Sequence, residues 1–533
     1  MNAGRHSLLI VTQSFEVGGL ETYIAGQVRV MAAEGWAVHM ACGSEPEAEY
    51  LPRGLSSVTG GLCFSPQASA AELVATVEAL RSIIRERAVT HVHGHPFTSL
   101  FPAMLAASLE GVPFVLTLHG PASLSTGYGP FNDFLLAALA MPLANEVIAV
   151  SEEVAELAAP YVGNEQLCIQ SNAIDFAQFR KSDSPVPEGA SWLVVSRLDG
   201  VKIHGIRAFA NQASALALGG VDIVGDGPGR ATLEEWLEQD GVGHTVRFLG
   251  ARPDVPELMR SSAGVAGMGR VLLEGVACGK PVCVVGYDGV KGLLDLDLFR
   301  RAAYANFSGR NLPNVNADDL ARQFKFGSAD GAQLAEAAMQ RHSEEWVWSD
   351  FAKRITSLTS NAQSLVRAIY SVLRSEEAVA SPVAYLASDD LFYRMGRVLH
   401  GTAFFSSAVA ANYTLYESRM QALRAEKLQE EARASSVQML EAIRLEIKEA
   451  MAQADARNDR NAEEAKRTFG ELQRLGEEIQ RLGEQGNQHH DGLSSVVKDL
   501  ESSIVELAAS LQEPGTWRQR ISHAVRNLSG RGR

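Results

Sequence analysis

Apolar and polar positions follow two alternating patterns along the first 180 residues. Short apolar runs typical of strands, such as 6–13 and 36–43, are separated by segments with apolar residues at helical spacing, such as 21–35. Strands that are apolar throughout lie in sheets whose two faces are both covered, and parallel strands need helical crossovers. The pattern therefore predicts a parallel α/β sheet with helices on both faces.

The same alternation restarts after a polar stretch with two prolines at 180–190, a composition typical of a linker between domains. Strand patterns continue to about residue 350 and then fade. We therefore predict the following domains: Rossmann-like domains at 1–180 and 191–355, a linker at 181–190, and a helical segment at 356–414.

A seven-residue repeat runs without a break from Tyr416 to Leu507. Apolar residues at this spacing, with charged and polar residues between them, are typical of a coiled coil. We predict a coiled coil at 415–512 that joins copies of the chain into a homo-oligomer. The alternative is a long helix that packs against its own domain.

The final segment, 513–533, is basic. Five arginines and no acidic residue follow Gly515, and Trp517, Ile521, Val525 and Leu528 fall on one helical face. A basic amphipathic helix of this kind can lie on an anionic membrane surface, so peripheral membrane contact through 514–533 is one interpretation. A frayed, solvated terminus is the other.

Composition narrows the class of protein. The chain has 533 residues and a net charge of −15, which argues against nucleic acid as a partner. It has no apolar run long enough to span a membrane and no signal-peptide pattern. Five scattered cysteines have neither zinc spacing nor an even count for disulfides, so we expect reduced thiols and a cytoplasmic protein, with the inner face of the membrane as a further location.

Candidate phosphate-binding residues lie between predicted strands and helices. Gly18 and Gly19 follow the first strand, where glycines let backbone N–H groups approach an anion at a helix N-terminus. Arg197 and Lys202 follow a strand of the second domain, at the edge where open α/β sheets bind ligands. Two cations there would suit a diphosphate leaving group, although solvated surface charges are the alternative.

Three histidines, His93, His95 and His119, also follow predicted strands of the first domain. A histidine at such a position can donate a hydrogen bond to a substrate hydroxyl, although a structural role is the usual one. No metal site is expected, because neither an HxxxH motif nor a carboxylate triad, as metal sites have, accompanies them. Asp226, in a third glycine turn, is assigned to structure.

Taken together, these motifs resemble a known family. Residues 6–350 look like a retaining glycosyltransferase of the GT-B fold, from the large family-four group. The matching segments are, in chain order, the turn at 18–21, HVHGH at 91–95, TLHG at 117–120, SNAIDFAQF at 171–179, SRLDGVK at 196–202, VGDGPG at 224–229, VRFLG at 246–250 and LLEGVACGKPV at 272–282. The resemblance implies two Rossmann-like domains that face each other across a cleft.

The resemblance also implies roles for single residues. Arg197 and Lys202 match the diphosphate-binding cations, and His119 matches a residue that touches the donor sugar near the reacting carbon. Glu274 matches the carboxylate that binds the ribose hydroxyls. The turn that faces the diphosphate comprises Gly267, Gly269, Arg270, Val271 and Leu272, and Gly18 and Gly19 close over the phosphates from the first domain. A nucleotide-sugar donor, a glycan or lipid-linked acceptor and no cofactor or metal are expected.

One position departs from the family pattern. The family commonly has two glutamates eight positions apart, and the first would fall at Ala266. That glutamate normally contacts hydroxyls of the donor sugar, so the identity of the sugar is open. The family resemblance implies a hexosyltransferase-type enzyme of bacterial surface polysaccharide synthesis, and this is our prediction. The alternatives are an inactive GT-B domain that serves as a binding or scaffold module through its coiled coil, and a nucleotide-sugar epimerase of related fold.

Overall fold

The computed structural model describes residues 6–16, 18–124, 127–326, 331–360, 363–400, 413–414 and 416–428. The chain divides into two compact units, Met1–Tyr416 and Glu417–Arg533. The first unit contains two β-sheets, each with its own helices. In the second unit the described residues, 417–428, are helical.

The first sheet has seven strands in the described residues, and all pair in parallel with the order β3-β2-β1-β4-β5-β6-β7. They are β1 (Ser7–Thr12), β2 (Ala37–Cys42), β3 (Leu55–Thr59), β4 (His91–Gly94), β5 (Phe114–Leu118), β6 (Glu146–Ala149) and β7 (Leu167–Ile169). Strands β1, β4, β5 and β6 are buried throughout, as the apolar runs predict.

Helices connect these strands and cover the sheet. They are α1 (Gly19–Ala33), α2 (Ala70–Glu86), α3 (Leu100–Glu110), α4 (Pro130–Leu135), α5 (Met141–Leu143) and α6 (Glu152–Ala158), with a π-helical turn at Leu136–Ala140. Short 3-10 turns lie at Ala48–Tyr50, Pro121–Ser123 and Ala159–Tyr161. The start of α2 has a local cause, because Ser69 and Glu72 form a reciprocal capping box.

The second sheet has six strands in the order β10-β9-β8-β11-β12-β13, and only β13 runs antiparallel among those described. They are β8 (Trp192–Val195), β9 (Val221–Val224), β10 (Val246–Gly250), β11 (Gly264–Gly267), β12 (Val282–Val285) and β13 (Val290–Leu293). Its helices are α7 (Ile203–Ala215), α8 (Arg230–Gln239), α9 (Val255–Ser261), α10 (Arg270–Ala277), α11 (Leu296–Tyr304), α12 (Ala317–Phe326) and α13 (Gly331–His342), with a 3-10 turn at Gly243–Thr245.

The chain crosses between the two lobes twice, and the two crossings are hydrogen-bonded to each other. The amide of Ile174 donates to the carbonyl of His342 at 2.8 Å, and the amide of Glu344 donates to the carbonyl of Ile174 at 3.0 Å. The next helix, α14 (Glu344–Thr356), buries Trp348 and Phe351 in the core of the first lobe. Chain order assigns this helix to the second predicted domain, but its apolar face packs on the first.

Three further helices pack on the first lobe: α15 (Gln363–Leu373), α16 (Glu376–Ala380) and α17 (Asp389–His400). The hydroxyl of Tyr370 on α15 donates to Glu78 on α2 at 2.6 Å. The amide of Tyr385, in the 3-10 turn Tyr385–Ala387, donates to the carbonyl of Ala68 at 2.8 Å. The described part of the predicted helical segment is therefore a layer on the first lobe.

The predicted pair of Rossmann-like sheets is confirmed. The predicted coiled coil at 415–512 lies outside the described residues except for 416–428, which are helical, and the basic tail at 513–533 lies outside them entirely. Both stay predictions. Within the part of the chain that the structure describes, every helix is too short or too polar to cross a membrane.

Candidate functional site

The loop after β8 presents both predicted cations at the carboxyl edge of the second sheet. Arg197 is exposed two residues beyond the strand, and Lys202 is the residue immediately before α7. Asp199 organises the loop: its side chain accepts from the amide of Lys202 at 3.1 Å and pairs with the Lys202 ammonium at 2.9 Å. Lys202 is thus held at a helix N-terminus, and the side chain of Arg197 is exposed.

A glycine turn after β9 supports this loop. The amide of Ser196 donates to Val224, and the amide of Leu198 donates to Asp226, both at 2.9 Å. Gly225 has φ +122°, and a Cβ there would lie 2.0 Å from the carbonyl oxygen of Ser196. Only glycine permits so close an approach. The turn is scaffold for Arg197, in agreement with the structural role assigned to Asp226.

The charge of Arg197 reaches Glu21 of the first lobe. Burial raises the pKa of Glu21, in the first turn of α1, and the charge of Arg197 acts against that rise. Gly18 and Gly19 precede Glu21 and are exposed, and a Cβ on Gly19 would meet nothing within 4 Å. The structure therefore brings the turn of one lobe towards the cation of the other.

The second glycine turn leads from β11 into α10. Gly269 has φ +67°, a backbone conformation that favours glycine, and its amide donates to the carbonyl of Phe307 at 2.8 Å. Val271 is half-buried, and the side chain of Leu272 is fully buried in the core. The amide of Leu272 donates to the carbonyl of Gly269 at 3.2 Å, so neither its side chain nor its amide is open to a ligand. The amides of Arg270 and Val271, in the first turn of α10, point towards the N-terminal end of the helix.

Glu274 lies one turn further along α10 and is buried against Arg270. The guanidinium of Arg270 lies 3.5 Å from the Glu274 carboxylate and also donates to the carbonyl of Ala173, in the crossing segment. Burial raises the pKa of Glu274, and the charge of Arg270 opposes the rise. The carboxylate expected to face the ribose is therefore already paired inside the protein.

The charges continue from this pair towards the first lobe. Glu344, at the start of α14, is buried and pairs with Arg29 of α1, which also lies 3.4 Å from Asp175. Burial raises the pKa of Glu344, and Arg29 acts against the rise. Cations and anions thus alternate from α1 through both crossings to α10.

The carboxyl edge of the first sheet carries the histidines instead. His93 and His95 are fully buried at the end of β4, and His119, which follows β5, is half-buried. Nδ1 of His95 lies 3.0 Å from Nε2 of His119, whereas His93 contacts Gln27 and Thr117. Burial lowers the pKa of both His93 and His119 to about 3. The three rings are therefore neutral at physiological pH.

The structure adds contacts near the α10 turn that the sequence reasoning missed. The segment after α11 reaches back over the α10 turn through Phe307, and Arg310 in the same segment pairs with Glu153 of the first lobe, with Nε at 2.8 Å from Oε1. Lys291, at the start of β13, is buried and pairs with Asp288 at 2.6 Å. No periodicity marks these residues, because their partners are distant in the chain or lie in an irregular turn.

Ala266 has no access to a ligand. It lies in the middle of β11, paired with Val194 of β8 and Cys283 of β12, and it is fully buried in the apolar core of the second lobe. The missing carboxylate is therefore not replaced at its own position. Within the described residues, no group of three or more His, Cys, Asp or Glu side chains is arranged to hold a metal ion.

Two family models match the chain. One, described as Glycosyltransferase Family 4, covers residues 17–178, and the other, Glycosyl transferases group 1, covers residues 206–331. The chain belongs to the GT-B glycosyltransferases. Together the two models span more than half of this glycosyltransferase, and each covers most of one Rossmann-like lobe. A search of curated proteins found no match.

Solved structures agree on the fold. The glycosyltransferase resembles Anabaena Alr3699/HepE in complex with UDP and glucose, with a TM-score of 0.52 and 19% identity, over 66% of this chain and 99% of that one. It also resembles sucrose-phosphate synthase from Thermosynechococcus elongatus, with a TM-score of 0.51 and 16% identity, over 66% of this chain and 98% of that one. At these identities the likeness concerns the fold alone.

Proposed function

We propose that the chain transfers a sugar from a nucleoside-diphosphate sugar to a glycan or lipid-linked acceptor, with retention of the anomeric configuration and without a metal. One observation carries the proposal. Arg197 and Lys202 lie at the carboxyl edge of the second sheet, and the charge of Arg197 acts on Glu21, which follows the exposed Gly18 and Gly19 of the first lobe. A diphosphate between these elements would meet charge from one side and backbone amides from the other.

The leaving group is where these residues act. As the bond between sugar and phosphate breaks, negative charge grows on the diphosphate oxygens, and fixed cations stabilise it more than they stabilise the ground state. Arg197 and Lys202 supply the charge. The first-turn amides of α10 at Arg270 and Val271 and those of α1 after Gly18 supply hydrogen bonds.

Glu274 has capacity left for the ribose although it is paired. A carboxylate accepts about four hydrogen bonds, and Arg270 engages one oxygen at 3.5 Å. We assign the remaining positions to the two ribose hydroxyls. Arg270 then keeps the carboxylate ionised inside the lobe, despite the burial that raises its pKa.

Retention is proposed to need no protein nucleophile. Such a mechanism relies on charge stabilisation of the leaving group and on an acceptor hydroxyl held near the anomeric carbon. His119, at the carboxyl edge of the first sheet, is proposed to contact the donor sugar there. The support comes from its position and from the family resemblance.

The first experiment is a thermal-shift screen of the full chain with nucleoside-diphosphate sugars that carry uracil or guanine bases. A ligand at 100 times its Kd stabilises the folded state by about 2.7 kcal/mol, so the matching donor should stand out. Nucleotide release is then measured with oligosaccharide and polyprenyl-linked acceptors, and the anomeric configuration of the product is read by NMR. If no donor stabilises the protein and none is consumed, the proposal is wrong.

A second candidate is an inactive GT-B domain that serves as a binding module. The burial of Ala266 favours it, because a carboxylate that usually contacts the donor sugar has no counterpart there. Calorimetry with UDP and GDP separates the two in part, since a scaffold need bind neither nucleotide. Acceptor-dependent release of nucleotide would exclude the inactive module.

We further propose a setting for this activity. This setting is bacterial surface polysaccharide synthesis in the cytoplasm. The family resemblance supports it, and so do five cysteines that form no disulfide. Homo-oligomers through 415–512 would bring several active sites together, and 514–533 would hold them at the inner face of the membrane. Light scattering on the full chain and on residues 1–410 tests the first part, and equal oligomeric states would contradict it.

A further inference from the structure

His95 is a buried histidine whose hydrogen bonds are only half satisfied. Its amide donates to the carbonyl of Val11 at 2.8 Å, which fixes the backbone at the edge of the sheet. Its Nδ1 lies 3.0 Å from Nε2 of His119, and the two ring centroids are 5.2 Å apart. Its Nε2 is buried without any hydrogen-bond partner in the described residues.

Two further aromatic rings pack around His95. The ring of Tyr23 meets it edge-on at 6.0 Å, and the ring of His93 lies at 4.3 Å. Burial, with the neighbouring His93 and His119, lowers the pKa of His95 well below its usual value, so the ring is neutral. The neutral ring carries one proton, either on Nδ1 or on Nε2.

The missing partner on Nε2 decides where that proton sits. If His119 donated to Nδ1 of His95, then His95 would carry its proton on Nε2, as a buried N–H without an acceptor. Orphaned buried N–H groups are rarer in proteins than acceptors left unfilled. The favoured arrangement has His95 donating from Nδ1 to Nε2 of His119. His119 must then carry its own proton on Nδ1.

We propose that His95 is a positioning residue that holds His119 in the Nδ1–H tautomer, so that a neutral N–H donor faces an oxygen of the donor sugar or its diphosphate. Nδ1 of His119 has no hydrogen-bond partner in the described residues. The role of His119 towards the donor rests on the proposed function. The tautomer itself does not.

A neutral donor suits the proposed chemistry better than a charged one. Positive charge develops on the sugar ring as the glycosidic bond to phosphate breaks, and an imidazolium beside it would be repelled. Burial lowers the pKa of His119 to about 3, which keeps the ring uncharged. The hydrogen bond from His95 determines which nitrogen of His119 carries the proton. Without it, either ring nitrogen of His119 could be the donor.

The tautomer is tested directly by ¹⁵N NMR of histidine-labelled full-length protein, with the His119 signals assigned by their loss in His119→Gln. We expect the Nδ1–H pattern in the wild type. His95→Leu should release His119 towards the Nε2–H form that free neutral histidine prefers. An Nε2–H pattern in the wild type, or no change in His95→Leu, overturns the proposal whether or not any sugar is transferred.

Activity gives the second test once a donor is known. In His95→Asn the amide nitrogen occupies the place of Nδ1 and can still donate, whereas the nearly isosteric His95→Leu cannot. We expect kcat to fall by roughly tenfold or more in His95→Leu, with a smaller change in KM, and to recover largely in His95→Asn. In a His119→Ala background, the leucine change should have no further effect on kcat.

Stability separates positioning from packing. His95→Leu removes an unsatisfied buried nitrogen, so its thermal midpoint should be no lower than that of His95→Asn. His93→Leu is the matched control: it is equally buried on the same strand but bonds Gln27 and Thr117. It should lower stability and leave the His119 tautomer unchanged. Equal loss of kcat in both His95 variants, with equally lowered midpoints, would make His95 a packing residue and overturn the inference.

Discussion

The carboxyl edges of the two sheets accommodate buried polar side chains in different ways. Both bury polar side chains next to exposed residues, which are Gly18 and Gly19 at the first edge and Arg197 at the second. The first lobe keeps His93, His95 and His119 neutral, and hydrogen bonds hold the rings. The second lobe keeps its charges and pairs them, as in Arg270 with Glu274.

The difference arises because histidine can lose its charge on burial, whereas arginine cannot. An imidazole loses its charge at little cost near neutral pH, because its ordinary pKa is about 6.5. A guanidinium stays charged, so a buried arginine needs a carboxylate or carbonyl beside it. The first edge is thereby suited to neutral hydrogen bonding with a sugar, and the second to counter-charge for a diphosphate.

The largest expected effect comes from breaking the buried pair. Arg270→Met leaves Glu274 buried without its cation and should lower the free energy of unfolding by about 3 kcal/mol, as measured by urea denaturation. The matched control is Arg301→Met. Arg301 and Asp297 are also four residues apart at 3.5 Å, but their side chains are 52% and 77% exposed, against 9% and 10% for the buried pair.

The control should lose less than about 1 kcal/mol, because exposed ion pairs contribute little. The double variant Arg270→Met with Glu274→Leu should recover most of the stability, since no unpaired charge remains. If Arg270→Met loses no more free energy of unfolding than the control, the buried pair does not depend on burial for its strength, and the contrast with the first edge fails.

Next in size is the effect on turnover of Arg197 and Lys202, the two cations that follow β8. Arg197→Ala and Lys202→Ala should each lower kcat/KM by on the order of 100-fold, or about 2.7 kcal/mol, because charge that grows on the leaving group loses its counter-charge. Arg247→Ala is the control, an exposed arginine of β10 that pairs with Asp222. Wild-type turnover in both cation variants would remove the proposed roles.

The smallest expected effect is an acid sensitivity of the first edge. Burial lowers the pKa of His93 to about 3 in the folded state, whereas the unfolded chain takes up a proton near pH 6.5. The contribution of this residue to stability is therefore intact above pH 6.5. It declines by roughly 1.4 kcal/mol for each pH unit below 6.5, which amounts to about 2 kcal/mol at pH 5.0.

Urea unfolding at pH 7.5, 6.0 and 5.0 measures this slope. In His93→Asn the free energy of unfolding should fall less steeply with pH, by roughly 1.4 kcal/mol per pH unit, which is the contribution of one proton. The exposed His244→Asn serves as the control. An unchanged slope in His93→Asn would mean that the ring is not held neutral in the folded protein.

Much of the fold could be predicted from local patterns. The strand at Ser7–Thr12, the helix at Gly19–Ala33 and the strand at Trp192–Val195 all lie within apolar runs or helical periods of a few residues. The ends of such strands also located Arg197, Lys202 and His119, since polar residues that follow buried strands lie at the ligand edge of a parallel sheet. The chemistry of these residues in transfer stays a prediction.

The site could not be completed in this way. Arg270 was predicted to belong to the turn that faces the diphosphate, and for its amide this stays a prediction. Its guanidinium is buried and binds Ala173 and Glu274, which the sequence did not indicate. The departure at Ala266 was visible in the sequence, yet its full burial was not. Both depend on which side of a strand or helix faces the core, and on which segment of the chain returns to cover it.

The amino-acid sequence by itself determined the succession of strands and helices along the chain, the two α/β units and the glycine turns. These features depend on residues that are close to each other in the sequence. The tertiary structure decided which side chains meet. Arg29 and Glu344 are 315 positions apart and pair only because the chain crosses between the lobes twice. His95 and His119 meet because β4 and β5 are neighbours in the sheet. Contacts of this kind depend on how the folded chain excludes water, and no local periodicity records them.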